Sequence, residues 1–442
     1  MRKAGIFGFI FSMIIIFSGV LFSSHPIYIY QKNGFSQYKA QFLIPKHSAT
    51  SLIWNYTTGD DVNSVAISSD GKYIIAGSKD NQTYLFNYSS STSKIPMWNY
   101  TTGNAVGSVA ISSDIFYVLA GSNDNHIYLF NNVSDSKPKW NYTMGDNVNS
   151  VAISSDGNYI IASSRNNIIT VLKNSSSTPV WNFTMDDEVN SVAISSDGTY
   201  IVSGSNNDKI TLFYVNLPEN NWNFTTNGDV NSVSISSDGN YIVAGSNDDY
   251  VYLFKNSWSF PEWRYKTKGD VLKVAISSDG NYIVAGSSDN KTYLFERSNS
   301  IPIKTYEVED TITSVAISSN GEHIIVGSVN NKTYLYDKSK NQHLWYYPTQ
   351  GNVTTVAISS NGKYFVVGST DNKVYLFHWT PPANVISEED EDLDIDFGDE
   401  GIPFGTILLI FIVIGIIFVI SIIFIKKKKI IVEQKNEIHK KA

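Results

Sequence analysis

Between residues 51 and 379 the chain alternates short apolar runs with polar turns, and the pattern recurs eight times. The phrase V-A-I-S begins at Val65, Val109, Val151, Val192, Val274, Val315 and Val356, and Val233 opens the variant V-S-I-S. Successive copies are spaced by 44, 42 and then five times 41 residues. Each copy continues through S-S-D-G, a Tyr-rich apolar run, G-S, a D-N pair and Y-L-F or a variant. Most copies are preceded by a tryptophan: Trp54, Trp98, Trp140, Trp181, Trp222, Trp263 and Trp345, with Tyr306 in that place before the seventh.

The first unit reads as four strands. Val62–Ser68 is the first, with alternating large and small residues, since successive side chains of a strand face opposite ways. Ser69-Asp70-Gly71 is a turn in which the glycine tolerates positive φ. Tyr73–Ser78 is the second strand, Asp80-Asn81 the next turn, Thr83–Phe86 the third strand, and Met97–Thr101 the fourth, carrying Trp98. No helical periodicity interrupts this. Four short strands per unit of about 41 residues predict an all-β chain folded as an eight-bladed β-propeller. Gly77 and the small face of the first strand let neighbouring blades approach near the axis, while Trp98 fills the periphery where they diverge. The last Y-L-F strand, Val374–Phe377, has no tryptophan strand after it, and Pro381-Pro382 ends the run. The spare N-terminal strand, Leu52–Thr58, is therefore expected to complete the last blade and leave no open edge.

Both ends of the chain are apolar. Arg2 and Lys3 precede a hydrophobic run from Ala4 to Phe22, the pattern of a signal peptide (1–24), cleaved or retained as an anchor. Ile402 to Ile425 carries no charge, and at about 1.5 Å per residue it is long enough for a transmembrane helix. Lys426 to Lys429 follow at once, which places the tail (426–442) in the cytoplasm and the propeller outside. The expected order is thus signal, an unassigned linker (25–50) in which Ile27–Tyr30 could form a short strand, propeller (51–379), acidic stalk (380–401), membrane span (402–425) and basic tail.

Composition narrows the chemistry. The chain has 442 residues, a net charge of −8 and no cysteine, which excludes disulfides and thiolate sites and argues against nucleic acid as a partner. The seven histidines show no metal-ligand spacing, and no nucleophile elbow, P-loop or dinucleotide fingerprint occurs, so no cofactor is expected. Asp392, Asp394 and Asp396 imitate the start of an EF-hand loop, but Phe397 stands where glycine is needed and Pro403 where the bidentate glutamate belongs. Sequons such as Asn55, Asn141 and Asn352 would accept glycans on an extracytoplasmic chain.

The blades resemble WD-repeat propellers across roughly residues 51–379. The resemblance is carried by the Ser-Asp-Gly turns at Asp70, Asp156, Asp197, Asp238 and Asp279 and by the G-S-x-D-N run. No Gly-His dipeptide opens the blades, and Y-L-F stands where Trp-Asp would end the third strand, so the hydrogen-bonded network those residues build in that family is absent or replaced. The tryptophan before each first strand is also similar to eight-bladed quinoprotein propellers, but their Asp-x-x-Thr-Gly run is missing.

In a propeller the crossovers between blades and the turns between second and third strands emerge on one side. Here they hold Asp60, Asp61, Asp146, Asp186, Asp187, Glu188, Asp229, Asp248, Asp249, Asp270, Glu309 and Asp310. These acids either dock a basic partner or simply serve as good turn residues. Three functions are carried forward: a membrane-anchored extracytoplasmic module for an unknown protein partner, through binding, adhesion or scaffolding; an assembly factor for other envelope proteins; and a quinone- or metal-dependent enzyme, which the sequence supports least. Two irregular places stand out, Tyr306 and the second copy's turn, where Ile115 replaces glycine.

Overall fold

A computed structural model describes residues 27–32, 37–42, 49–88, 95–131, 136–380 and 395–396. These fall into two units. The larger contains eight four-stranded antiparallel sheets. The first is Val62–Ile67, Tyr73–Ser78, Gln82–Asn87 and Trp98–Thr101, and the others repeat it. The eighth joins Val353–Ile358, Tyr364–Ser369 and Lys373–Thr380 to Ala49–Thr57 from the start of the chain. The expected N-terminal closure is present. It is longer than its pattern indicated, because Ala49 to Ser51 pair with Thr380 to His378 beyond the Trp54–Leu376 pair.

The smaller unit pairs Ile27–Lys32 with Gln37–Phe42, and Gln37–Tyr38 with Ile395–Asp396. The linker expected to hold one short strand thus holds two, and two residues of the acidic segment join them. The N-terminal apolar run, most of the acidic segment, Ile402 to Ile425 and the basic tail lie outside the described residues. Among the described residues no helix is long and apolar enough to cross a membrane.

The turns explain the regularity. Asp70 accepts from the Ser68 hydroxyl at 2.6 Å and from the Lys72 amide at 3.0 Å, while Gly71 sits at φ 77°. A Cβ there would come within 2.3 Å of Tyr364 in the preceding blade, so this glycine serves both the turn and the seam. Ile115 holds the same left-handed backbone at φ 61°, which a β-branched residue adopts only at a cost of about 1–3 kcal/mol. The second turn of every blade places an Asn or Asp in this region, from Asn81 to Asn372, where short polar side chains are best tolerated.

The hydrophobic core is split among the seams. Eight buried clusters occupy the eight junctions between adjacent blades. At the junction of blades one and two a Cβ on Gly77 would lie 2.6 Å from Val106, so the small residue is needed for close approach. At the periphery Trp98 packs on Phe130 of the next blade with centroids 5.0 Å apart. The closing junction has the same chemistry, with Trp54 against Phe86 at 4.9 Å.

Candidate functional site

A bulge in each first strand turns its backbone toward the next blade. In blade one the register shifts between Val62 and Ser64. Asn63 then donates its amide to the Val106 carbonyl at 3.1 Å, and the Ser64 hydroxyl accepts from the Val109 amide at 3.1 Å. The hydroxyl link recurs at Ser108, Ser150, Ser191, Ser232, Ser314 and Thr355. One member breaks the ring. Blade six reads V-L-K-V-A-I, so Leu272 and Lys273 occupy the Asn and Ser positions. Lys273 is exposed, yet desolvation by the surrounding chain pushes its pKa down. Sequence reasoning passed over this pair. The signal was available, since V-L-K departs from V-N-S in an otherwise repeated phrase.

The acidic candidates come together on one face, called here the crossover face. The crossovers and the second-to-third-strand turns are bonded to each other there. The Gly59 amide donates to Asp80 at 2.6 Å, and the Tyr84 hydroxyl donates to the same carboxylate at 2.6 Å. Asp124, Asp248, Asp289 and Asp371 repeat this with Tyr128, Tyr252, Tyr293 and Tyr375. Burial raises the tyrosine pKa in each, and the adjoining carboxylate adds to the rise. In blades three and four Thr170 and Thr211 replace the tyrosine, and Asn166 and Asn207 replace the aspartate. The aspartate thus answers to the tyrosine hydroxyl, with blade seven an exception in which Asn330 donates to Tyr334 at 2.8 Å. This Asp–Tyr pair stands in for the network that the missing Gly-His and Trp-Asp would have supplied.

The other acids are differently employed. Asp186 is held at 2.5 Å by Lys209, whose hydrogen bond and charge lower its pKa. Glu309 is 2.7 Å from Lys332, Glu188 is 3.4 Å from Arg165, Asp61 is 3.7 Å from Lys79 and Asp249 is 3.8 Å from Lys266. Asp146, Asp187 and Asp310 each accept the next residue's amide at 2.7 to 2.8 Å, and Asp60 does the same for Asp61. Asp229 accepts from the Asn247 amide at 3.3 Å. Asp270 receives Ser288 at its backbone carbonyl. Exposed pairs of this kind contribute little stability, and their cations, on the same face, offset part of its negative field and leave the unpaired acids to carry the remainder. No cluster of three or more His, Asp or Glu side chains able to hold a metal occurs among the described residues.

The Tyr306 substitution resolves differently from its sequence reading. Register places Lys304 opposite Leu294, where Trp98 lies opposite Leu85 in blade one. Tyr306 is two residues further on, in the fourth strand of the sixth sheet. It still does the tryptophan's work. Trp222 and Trp263 donate their indole N–H to carbonyls of the next blade at 2.7 to 2.8 Å. Tyr306 stacks on Tyr336 at 4.1 Å and donates to the Lys340 carbonyl at 3.2 Å, with burial pushing its pKa up to about 12.

His323 is a second irregularity. It occupies the position held by Tyr73, Tyr282 or Tyr364 in other blades, buried against Trp379 at 4.2 Å. Neither its Nδ1 nor the Trp379 indole nitrogen has a hydrogen-bond partner. Burial lowers its pKa, against the opposing pull of Asp337 and Glu322. The folded state therefore holds this histidine neutral, while the unfolded chain protonates it near pH 6.5. Stability from the neutral ring is complete above that pH and is lost as pH falls through it toward the depressed folded value. His323→Tyr is expected to recover roughly 1 kcal/mol at pH 5.5 and little at pH 7.5. Paired thermal melts of the two proteins check this; His378, also lowered by burial, contributes the same sign and remains in both.

The sequence model for the WD domain, G-beta repeat, matches residues 50–87, 138–171, 177–213, 219–255, 261–296, 300–337 and 341–378. Each match runs from a fourth strand through the next blade's third strand, so the repeat straddles two sheets, as ring closure requires. The uncovered stretch, 88–137, holds the first sheet's fourth strand and the first three strands of the second sheet, where Ile115 replaces the turn glycine. No curated protein matches the chain. Propellers of this kind commonly act as protein-interaction scaffolds and are generally not catalysts. On the strength of these seven matches and the eight-bladed ring, the chain belongs to the WD40 repeat family.

Proposed function

We propose that the protein is a membrane-tethered, extracytoplasmic scaffold whose crossover face receives a basic protein partner. The observation that carries this is the separation of the faces. The paired ends Ala49 and Thr380 both leave the propeller on the side opposite the acidic crossovers. A tether formed by Ile402 to Ile425 then leaves the acidic face free to meet a partner. Surface acids of one sign steer such encounters, and their effect falls with ionic strength. Assembly of other envelope proteins would use the same face.

Two measurements test the reading. An impermeant thiol reagent is expected to label Asn227→Cys on intact cells and to reach Lys435→Cys only after permeabilisation; the reverse pattern overturns the topology. Solubilised full chain is expected to bind an oligolysine peptide with an affinity that falls steeply with salt. It should weaken about tenfold when Asp187, Asp229 and Asp270 are changed to lysine. Binding indifferent to both changes overturns the docking face.

A further inference from the structure

The face from which both chain ends leave has its own chemistry. It carries the first-to-second-strand turns and the third-to-fourth-strand loops. Nearly all the large apolar side chains that the propeller leaves in water lie in those loops or beside them. Ile95 and Met97 belong to blade one, Phe116 to blade two, Leu217 to blade four, Trp258 and Phe260 to blade five, and Ile301 to blade six. Trp258 is 64% and Phe260 62% exposed. Their loop is built rather than slack. The Trp258 amide donates to the Lys255 carbonyl at 3.0 Å, the Glu262 amide to Leu253 at 2.7 Å, and the Trp222 indole to Asn256 at 2.8 Å. Beside them lies a groove of about 440 Å³, lined by Tyr200, Tyr214 and Trp222. Trp258 and Phe260, with ring centroids 6.5 Å apart, form with this groove a continuous exposed apolar patch, the kind that marks an interaction site.

We propose that this face rests on the lipid bilayer, with Trp258 and Phe260 inserted at the headgroup boundary. The proposal rests on the membrane tether proposed above. Three observations select lipid. First, both ends of the propeller leave on this side, and only 21 residues, 381–401, separate it from the apolar run at Ile402, two of which, Ile395 and Asp396, pair with Gln37–Tyr38 and shorten the reach further. Such a tether holds the face near the bilayer at high effective concentration, so weak interfacial affinity suffices. Second, tryptophan with flanking aromatic and aliphatic residues is the composition that settles at membrane interfaces. Third, the two faces differ in charge: acids outnumber cations on the crossover face, whereas here the turn acids Asp70, Asp114, Asp156, Asp197, Asp238 and Asp279 are offset by Lys72, Lys139, Lys255, Arg297, Lys338 and Lys363.

The cysteine-free chain allows a clean test. Full-length protein carrying Ser259→Cys or Asn227→Cys is labelled with an environment-sensitive fluorophore and reconstituted in phosphatidylcholine vesicles containing nitroxide lipid. The label at 259 is expected to shift to the blue and to be quenched by the nitroxide several-fold more than the label at 227. Trp258→Ser/Phe260→Ser should erase that difference without changing the thermal melt. Equal quenching at both sites, in protein that still resists carbonate extraction, overturns the proposal and leaves the tether standing. Protein that carbonate extracts, with no lipid contact at 259, removes both. A label shielded from aqueous iodide yet unreached by nitroxide places a protein segment on the face, and this too overturns the proposal.

Discussion

Replacing residues 49–57 by a Gly/Ser linker of equal length abolishes the cooperative melting of the propeller, or lowers its midpoint by more than about 10 °C. The expectation follows from what this one strand holds shut. Its removal strips Lys373–Thr380 of its outer partner along the whole strand, from Thr57–Lys373 to Ala49–Thr380. It also removes Trp54 from the junction of blades eight and one, where it packs on Phe86 with Tyr56 beside it. Truncating a buried tryptophan alone costs about 3–5 kcal/mol, against a typical total stability of about 5–15 kcal/mol. The edge left behind pairs readily with other chains, so aggregation should accompany the loss. Calorimetry of the full chain and the linker variant checks the result, and a synthetic peptide of residues 49–57 added in trans should restore part of it. An unchanged transition would mean that seven complete blades and the bonds across the last junction, such as Ser360 to Ser69 at 3.2 Å, close the ring unaided.

The closure was legible because it was a matter of counting strands. Eight V-[AS]-I-S phrases and eight strands of the tryptophan type leave one of the latter before the first phrase. The blade period, the turn chemistry and the tight glycines were legible for a similar reason: each is local, and each was printed up to eight times. The hydrogen bonds that tie the turns and crossovers together were not. The Asp80–Tyr84 pair joins residues four apart, yet its logic appears only when the Thr170 and Thr211 blades are set beside it. Tyr306 was misplaced by two positions because an aromatic residue before V-A-I-S looks like a substitute for tryptophan. Only the Lys304–Leu294 pairing shows otherwise. The acidic face was legible from the crossovers, whereas the apolar residues of the opposite face were not. The third-to-fourth-strand loops vary in length and scatter single apolar residues such as Ile95, Trp258 and Ile301 among polar ones, and only the topology shows that they share one side.

The junction of blades six and seven should be the weakest of the eight, and restoring the repeat there should stabilise the protein. Everywhere else a Ser or Thr hydroxyl in the first strand receives the next blade's amide, as Ser232 does for Val274 at 3.3 Å. At most junctions an Asn or Thr also donates to the neighbouring carbonyl, as Asn231 does to Val271 at 3.1 Å. Leu272 can make no such bond, and Lys273 has no acceptor for the Val315 amide. Each inter-blade bond regained contributes about 0.5–1.5 kcal/mol net, and removing a crowded cation whose pKa is already depressed adds to the gain. Leu272→Asn/Lys273→Ser is therefore expected to raise stability by about 1–3 kcal/mol. The same pair of changes made in reverse at blade five, Asn231→Leu/Ser232→Lys, should cost at least as much, because Ser232 is buried. Hydrogen exchange at the Val315 amide supplies a local readout: it should slow in the restored protein while the Val274 amide stays as it was. If stability rises without that local protection, the gain comes from removing the lysine charge and not from the seam. If neither changes, the lysine at 273 costs the fold nothing and the seam is not weakened by it.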